Sequence, residues 1–328
     1  MAFSITAATP WLEELAGRQD LILKPILGSR YLDYITDKRM GITGQSVLLP
    51  NFESTVAAQA GTACGFTTSG TTTITQTTIT TVPIKVQEQV CLQDLETYFA
   101  QQWLPGSSQP ETYALLDTWV NRKLAQISRR MGQMAFQGRT TYTNDTFLKQ
   151  TNGFIRLIDN AADEVVATAQ ADITTSTVRG IFEDIIYVKL LTIPQILNEN
   201  PIVYCGQDTF MILVQKLMTD NLYHYNGVAG NAYQNFELVY PGSNIKVVGL
   251  AEMNASNGVD TGALPTAVQD RIICTYQGNL VVGMNTNAGA GDIKVWYSQD
   301  DQVLKFSWRA HIGFAIKHTD LCITYANS

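Results

Sequence analysis

The sequence of 328 residues predicts an α+β fold, and three observations carry this prediction. Apolar residues recur at helical spacing across residues 109–137, which is the strongest helix pattern in the chain. They alternate with polar residues across 304–316, which is the pattern of a half-buried strand. Residues 71–81 contain eight threonines in eleven positions, and this β-branched composition favours another strand.

Composition predicts a folded chain whose surface is partly covered. Apolar residues make up 45% of the sequence, and the five tryptophans argue against disorder. Charged residues make up only 16%, against about 25% in a typical soluble protein. The formal net charge of −7 argues against a protein whose task is to grip phosphates.

Several classes of protein are not indicated. No apolar run approaches the roughly 20 residues of a membrane helix, and the first residues lack the basic and apolar regions of a signal peptide. The cysteines are odd in number and widely spaced without any CxxC, so we expect reduced thiols rather than a zinc site or disulfides. They are Cys64, Cys91, Cys205, Cys274 and Cys322.

The sequence names no enzymatic reaction and no cofactor. It lacks GxSxG, HExxH, GxxxxGK[ST] and GxGxxG. Cys322 and His318 could form a Cys–His dyad, but His318 and His311 lie in a strand-like stretch and are expected to be ordinary sheet residues. We therefore predict that the protein is not an enzyme, with no catalytic, cofactor-binding or metal-binding residues.

The N-terminal part predicts an extended arm followed by a projecting hairpin. Residues 1–53 form the arm, with one short helix that begins at Thr9-Pro10. In residues 54–90 the segment TVAAQAGTACGF is expected to pair with the threonine-rich run through a turn at residues 68–70. Few large apolar residues are present, so both faces of the strand should be exposed. A disordered threonine linker is the alternative.

The helix predicted at about 109–137 follows a capping box at residues 108–111, and Gly138 is a natural stop. It should be about 40 Å long. Its apolar stripe is Tyr113, Leu116, Val120, Leu124, Ile127, Met131 and Met134. The polar side carries a basic stripe of Arg122, Lys123, Arg129 and Arg130. This stripe could pair with another subunit, face DNA, or simply be a solvated helix face.

The rest of the chain predicts alternating short helices and strands. Helices are expected at 175–191 and 208–222. Strands are expected at 201–205, 236–240, 245–250, 272–276, 280–284, 293–298, 304–316 and 321–325. The strands 293–298 and 304–316 should form a hairpin through residues 299–302.

This order of parts resembles the major capsid protein of tailed double-stranded DNA bacteriophages, which has the Hong Kong 97-like fold. The residues that carry the resemblance are CGF at 64–66 and ITTVPIKVQEQVCLQDLETYF at 79–99, with VYPGSNIKVVGL at 239–250 and IKVWYSQDDQVLKFSWRAHIGFAI at 293–316. These stretches are similar to capsid proteins of phages that infect Bacteroidetes, including crAss-like phages.

The resemblance implies a division of the chain and a set of contacts. The parts are an N-terminal arm at 1–53, an extended loop at 54–90, a peripheral domain at 91–193 and 291–318 with the spine helix at about 109–137, and an axial domain at 194–290 and 319–328. The candidate contacts between subunits are Phe66, Thr71, Ile74, Thr77 and Ile79. The threonine run contains no lysine, so the family's loop crosslink is not expected here.

The resemblance also implies partners and a location. The chain would assemble with itself into hexamers and pentamers of an icosahedral shell that encloses double-stranded DNA without sequence preference. No long helical segment precedes the arm, so a separate scaffolding protein is expected, beside a portal and auxiliary or decoration proteins. Assembly would take place in the host bacterial cytoplasm, and the final location would be the virion, with no membrane partner.

Two alternatives remain open at this stage. An encapsulin-like compartment that holds a cargo enzyme shares the fold. The second alternative is a different virion component or a cytosolic enzyme with an unrecognised site. A cluster of titratable groups with shifted pKa values in a pocket would favour the enzyme.

Overall fold

The computed structural model describes residues 30–42, 44, 47–55, 58, 68, 70–91, 111–143, 145–161, 163–168, 172–220, 236–254, 270–285, 293–298, 300–301 and 303–326. The short helix predicted at Thr9-Pro10 lies outside these residues, and so does Phe66. Within them the chain is a mixed α+β protein, as the sequence predicts.

The described helices are of very unequal length. They are α1 at Tyr31–Tyr34, α2 at Glu111–Gln137, α3 at Phe154–Ala161, α4 at Val178–Glu183, α5 at Leu190–Thr192, α6 at Pro194–Leu197 and α7 at Gln207–Thr219. The long helix α2 confirms the helix predicted at 109–137. Its stripe residues Val120, Leu124, Ile127, Met131 and Met134 are all buried. The helix predicted at 175–191 is present, although a π-helical turn at Asp184–Lys189 joins α4 to α5.

The described strands belong to three sheets. They are β1 at Asp37–Met40, β2 at Val47–Thr55, β3 at Thr71–Ile79, β4 at Val82–Cys91, β5 at Val165–Val166, β6 at Pro201–Gly206, β7 at Glu237–Val239, β8 at Lys246–Leu250, β9 at Ile272–Tyr276, β10 at Leu280–Asn285, β11 at Ile293–Ser298, β12 at Val303–Ile316 and β13 at Ile323–Tyr325. The strands predicted after residue 200 are thereby confirmed, most of them to within two residues at each end.

The first sheet is built around the 14-residue strand β12. One edge of β12 pairs with β4 over ten residues, and the other edge pairs with β11 and then with β10. Strand β1 adds to β10 in parallel orientation. The hairpin predicted between 293–298 and 304–316 is therefore confirmed.

The alternation along β12 is only partial, because Ser307 on the predicted polar side is buried as well. The predicted inward residues are all buried, whereas Arg309 on the opposite face is exposed. From Ile312 onward both faces are buried, because Ile79 and Thr80 cover Gly313 and its neighbour Ala315. The segment that follows β3 thus lies on the outer face of the first sheet.

The second sheet has the order β5-β13-β9-β6-β8-β7 among the described strands, and its two faces belong to different cores. Along β6 the side chains alternate between these cores. Ile202 and Tyr204 join the core that also contains α2 and the first sheet, whereas Val203 and Cys205 join the core beneath α4 and α7. This is the two-residue period of a strand that is buried on both faces.

The structure corrects the predicted arm. The arm was expected to run from residue 1 to 53 as an extended segment, but Tyr31, Leu32 and Ile35 are at most 2% exposed. Strand β1 follows directly and joins the first sheet. Four apolar or aromatic side chains within five residues explain the burial, since they provide α1 with a face that packs on α2: Tyr31, Leu32, Tyr34 and Ile35.

Candidate intersubunit surfaces

A two-stranded ribbon leaves the body of the protein between β1 and β4. Strand β3 pairs with β2 in antiparallel register from Val47 opposite Ile79 to Thr55 opposite Thr71. In the described part of the chain the ribbon pairs with no third strand. Nine residues per strand give it a length of about 30 Å.

The structure corrects the predicted partner of the threonine-rich strand. Residues 55–66 were expected to pair with it, but the partner is VLLPNFEST at Val47–Thr55, most of which had been assigned to the arm. The physical reason is composition, since the rejected segment is rich in alanine and glycine, which disfavour strands. Pro50 is tolerated because β2 is an edge strand.

The outer part of the ribbon is exposed. Thr71, Thr72 and Thr73 are exposed, and the side chain of Ile74 is 61% exposed. Closer to the body, Thr77 is half-buried, and its hydroxyl donates a hydrogen bond to the carbonyl oxygen of Lys317 at 3.4 Å. Exposure therefore decreases along the ribbon, from the predicted contacts Thr71 and Ile74 in its outer part to Thr77 near its base.

The base of the ribbon is fixed over a pair of glycines. Gly283 of β10 and Gly313 of β12 are direct partners in the sheet. A Cβ atom on Gly283 would lie 2.7 Å from Cδ1 of Ile79, and a Cβ atom on Gly313 would overlap the carbonyl oxygen of Thr80. The next residue, Thr81, accepts a bond from the amide of Gly44 at 2.8 Å. Only glycine permits this approach of one backbone to another.

This geometry changes the role of Ile79. Its side chain is fully buried and packs with Ile42, Val281 and Ala315 of the same chain. Its own chain covers it completely, which argues against the prediction that Ile79 contacts a neighbouring subunit. Sequence patterns did not single out the two glycines, although glycine inside a strand signals a close backbone approach.

The predicted basic stripe of α2 divides into two pairs. Lys123 contacts Glu88 of β4 at 2.7 Å, and Arg130 contacts Asp145 at 2.6 Å. Arg130 also lies over the ring of Phe147. These two cations fasten the helix to its own chain.

Arg122 and Arg129 behave differently, because both are exposed. They are seven residues apart on α2, which places them on one face of the helix. Ala125 and Gln126 complete this exposed face. The surface that could meet a neighbour or DNA is thus narrower than the predicted stripe of four residues.

An open groove of about 940 Å³ lies beside β7 and β8. Its apolar wall includes Tyr187, Leu191 and Leu197, which are 40%, 65% and 42% exposed. On the polar side Lys246 contacts Glu237 at 2.7 Å, and the hydroxyl of Tyr34 donates a hydrogen bond to the same carboxylate. Sequence analysis did not predict this groove, since its residues come from four separate segments.

The electrostatics of the groove follow from these contacts. Burial, and next its bond to Glu237, raise the pKa of Tyr34 to about 12. Burial alone would raise the pKa of Glu237, but Lys246 and Tyr34 outweigh burial and hold it below its ordinary value. The Tyr34 hydroxyl therefore stays neutral and the Glu237 carboxylate stays ionised near neutral pH, and neither is poised for proton transfer.

The possible Cys–His dyad is not assembled. The sulfur of Cys322 contacts Nδ2 of Asn279 at 3.3 Å and the backbone oxygen of His318 at 3.6 Å. Burial raises the pKa of Cys322 to about 12, which is the opposite of the shift that activates a thiol nucleophile. Cys205 and Cys274 are likewise free and buried, and Cys91 is free and half-buried, while Cys64 lies outside the described residues.

Within the described ranges, no three His, Cys, Asp or Glu side chains come together in a group that could hold a metal ion. None of the helices in those ranges combines the length and the apolar character that a membrane crossing requires.

Comparison with known proteins identifies the fold. No protein-family model and no curated protein matches the chain. Among solved structures, a chain of the satellite phage P4 procapsid that includes the size determination (Sid) protein is similar over 100% of this chain and 92% of its own, with 11% identity and a TM-score of 0.53.

Two further solved structures agree. The capsid of Myoviridae phage XM1 matches over 91% of each chain, with 12% identity and a TM-score of 0.56. A chain of Gordonia phage Cozz matches over 92% of this chain and 87% of its own, with 12% identity and a TM-score of 0.57. The predicted fold is confirmed by these matches over nearly the whole length: this chain has the Hong Kong 97-like fold of phage capsid proteins.

Proposed function

We propose that this chain is the major capsid protein of a tailed double-stranded DNA bacteriophage, which assembles with itself as hexamers and pentamers into an icosahedral shell. The observation that carries the proposal is the ribbon β2–β3 on a capsid-type fold. Its base is locked over Gly283 and Gly313, whereas residues 71–74 are exposed. A rigid base with an uncovered outer part is suited to contact another subunit.

The energetics of the ribbon support this proposal. A two-stranded hairpin is marginally stable in water unless another surface covers it. The side chain of Ile74 is 61% exposed and would contribute roughly 1–2 kcal/mol if a neighbour buried the exposed part. The charged fraction of 16% agrees with a subunit whose surface is completed by its neighbours. We therefore assign Thr71 and Ile74 to the contact, and Thr77 to its inner edge.

The proposal extends to location, partners and chemistry. The protein is a structural component of the virion, assembled in the host bacterial cytoplasm with a separate scaffolding protein, a portal and auxiliary or decoration proteins. Its net charge of −7 would limit adhesion to the packaged DNA, and Arg122 and Arg129 provide a local basic surface for a neighbour or for that DNA. We propose no enzymatic role for it, in line with the buried thiols of Cys205, Cys274 and Cys322, whose pKa values burial raises.

We further propose that the two sheets correspond to a peripheral and an axial domain. The predicted axial segments, 194–290 and 319–328, contain the strands from β6 to β9 and β13 of the second sheet. Packing supports two changes to the predicted bounds. The helices from α4 to α6 share a core with the second sheet and would move to the axial domain, and β10 pairs with β12 and would move to the peripheral domain.

The direct test is to express the full chain in bacteria, alone and with the scaffolding protein of its own genome. Electron microscopy and sedimentation should then show shells, tubes or capsomers. A monomer of 36.2 kDa under all of these conditions would refute the proposal. Native particles that contain an enzyme instead of DNA would favour the encapsulin-like alternative.

A variant pair tests the ribbon. Ile74→Asp should reduce the assembled fraction at least tenfold, because the lost apolar contact and the desolvation of the new carboxylate together exceed the roughly 1.4 kcal/mol that a factor of ten requires. The melting temperature of the unassembled chain should not change, since Ile74 is exposed there. Thr78→Asp adds the same charge at an exposed position nearer the body, outside the assigned contact and opposite the uncharged Leu48, and is the matched control. If both variants assemble like the wild type, the ribbon is not the contact.

A further inference from the structure

A buried carboxyl group lies where the long helix meets the second sheet. Glu252 belongs to a one-turn 3₁₀ helix, Ala251–Met253, which directly follows β8. Its side chain is 9% exposed and packs against Gly132, in the second half of α2. A Cβ atom at position 132 would lie 2.5 Å from Cγ and 3.2 Å from Oε1 of Glu252. Glycine is a poor helix former, and here it leaves the space that the carboxyl group occupies.

Hydrogen bonds fix the turn that carries Glu252 from two directions. Nε2 of Gln137, the last residue of α2, donates to the carbonyl oxygen of Glu252 at 2.8 Å and to that of Asn254 at 3.1 Å. Oδ1 of Asn254 accepts a bond at 2.7 Å from the amide of Gln207, the first residue of α7. The turn therefore links the end of α2 to the beginning of the helix that covers the far side of the second sheet.

The surroundings of the carboxyl group do not neutralise it. The titratable and charged groups that face it are Arg30 and Tyr31, next to and in α1. The residues that face the turn from α2 and β6 are Gly132, Gln137 and Gly206, which carry no charge. Oε2 of Glu252 and the buried hydroxyl of Tyr31 have no hydrogen-bond partner among the described residues. Arg30 acts on the carboxyl group through its charge, without a contact in ion-pair range.

We propose that Glu252 is a proton-controlled contact between α2 and the second sheet. In its neutral form the acid fits the site over Gly132. The ionised carboxylate weakens the packing of its turn against α2, and this contact between the turn and α2 is the joint. The inference goes beyond the proposed shell function, because it concerns packing within one chain and needs no neighbour.

The direction of the effect follows from the burial. Desolvation raises the pKa of Glu252 above its ordinary value of 4.5, more than the backbone amides and Arg30 lower it. The folded chain therefore holds this proton more tightly than the unfolded chain. The penalty for the buried carboxylate is present above the raised pKa, and it disappears as the pH falls toward 4.5. Mild acid should strengthen this joint.

The test is thermal unfolding of the full, unassembled chain between pH 5 and pH 8. Glu252→Gln keeps the shape of the side chain and removes the charge, so it should raise the melting temperature at pH 8 by about 2 °C and bring no gain at pH 5. The matched control is Glu199→Gln, the same change at an exposed position, which should follow the wild-type profile. A Glu252→Gln profile parallel to that of the wild type would overturn the proposal.

A second measurement covers the case in which the variant does not fold. Hydrogen exchange of the wild type, corrected for the intrinsic effect of pH, reports the joint directly. Protection of amides at 128–137 and 250–254 should fall between pH 5.5 and pH 8, while protection within α7 stays constant. Equal protection of the joint at both pH values would overturn the proposal without any variant and independently of whether the chain forms shells.

Discussion

The glycine pair beneath the ribbon provides the sharpest test of the structure. We predict that Gly283→Ala destabilises the protein through the side chain of Ile79. The added Cβ atom would lie 2.7 Å from Cδ1 of Ile79 and 3.2 Å from Cδ1 of Ile42. Carbon atoms prefer about 3.5–4.0 Å, so the end of Ile79 has to move by roughly 1 Å. It has little room to do so, because it is fully buried.

The magnitude follows from two opposing effects. Inserting a methyl group into a packed site costs about 1–3 kcal/mol of folding free energy. Replacing glycine by alanine inside a strand returns about 0.5–1 kcal/mol, since the unfolded chain loses conformational freedom. The net loss should be about 0.5–2 kcal/mol, which corresponds to a fall in melting temperature of about 1–3 °C for a chain of this size.

A double-mutant cycle separates this contact from general damage. Ile79→Val removes the Cδ1 atom that the new methyl group meets, and alone it should cost about 0.5–1.5 kcal/mol. In the double variant the overlap is mostly relieved, so the two changes should couple favourably by about 1 kcal/mol. Denaturant or thermal unfolding of the unassembled chain measures all four corners of the cycle.

Gly278→Ala is the matched control, because its nearest contact would be an ordinary 3.5 Å. It should leave the melting temperature unchanged or slightly higher. Two results would refute the packing described at the base of the ribbon. One is that the losses of unfolding free energy for Gly283→Ala and Ile79→Val add in the double variant to within about 0.5 kcal/mol. The other is that Gly283→Ala is as stable as the control.

Two further predictions concern neighbouring contacts. The methyl group added by Gly313→Ala meets the backbone of Thr80 rather than a side chain, so the base of the ribbon itself has to move. Electron microscopy should therefore show fewer shells for Gly313→Ala than for Gly283→Ala, even if the two unassembled variants have the same melting temperature. Asp145→Asn removes the charge of a carboxylate that is 7% exposed and binds Arg130 and two backbone amides. The free energy of unfolding should fall by about 1–3 kcal/mol. The control Arg122→Gln, at an exposed position, should lower it by less than about 0.5 kcal/mol. Equal melting temperatures for these last two variants would contradict the ion pair.

The sequence predicted those parts of the fold that side-chain periodicity encodes. The stripe of α2 and the apolar positions of β12 each repeat over many residues, and the structure confirms the helix and the burial of the predicted inward side chains of β12. The fold class and the resemblance to capsid proteins followed from the order of such elements. The pairing of β3 could not be read in this way, because 55–66 and Val47–Thr55 are both near enough in sequence to form a hairpin, and strand propensity decided between them.

Sequence patterns do not reveal the close contacts that glycine allows because it has no side chain. The sequence does not show which segment approaches Gly132, Gly283 and Gly313, yet each marks a place where another segment lies close. The basic stripe shows the same limit for charges. Four cations at similar spacing look alike in sequence, and their spacing does not show that Lys123 pairs with Glu88 and Arg130 with Asp145.

The threonine-rich strand reconciles two demands on the proposed shell subunit. Its ribbon has to remain soluble before assembly and to be covered afterwards. Charged side chains would have to be desolvated on assembly, and a strand of valine and isoleucine would expose a continuous apolar patch beforehand. Threonine avoids both costs, because its β-branch stiffens the strand and its hydroxyl can bond to water or to a neighbour. The sequence has no charged residue from 54 to 84, and Ile74 alone adds a large exposed side chain among the residues described there. This uncharged run is one part of the low overall charge of the chain, and it is a part that the proposed shell would bury.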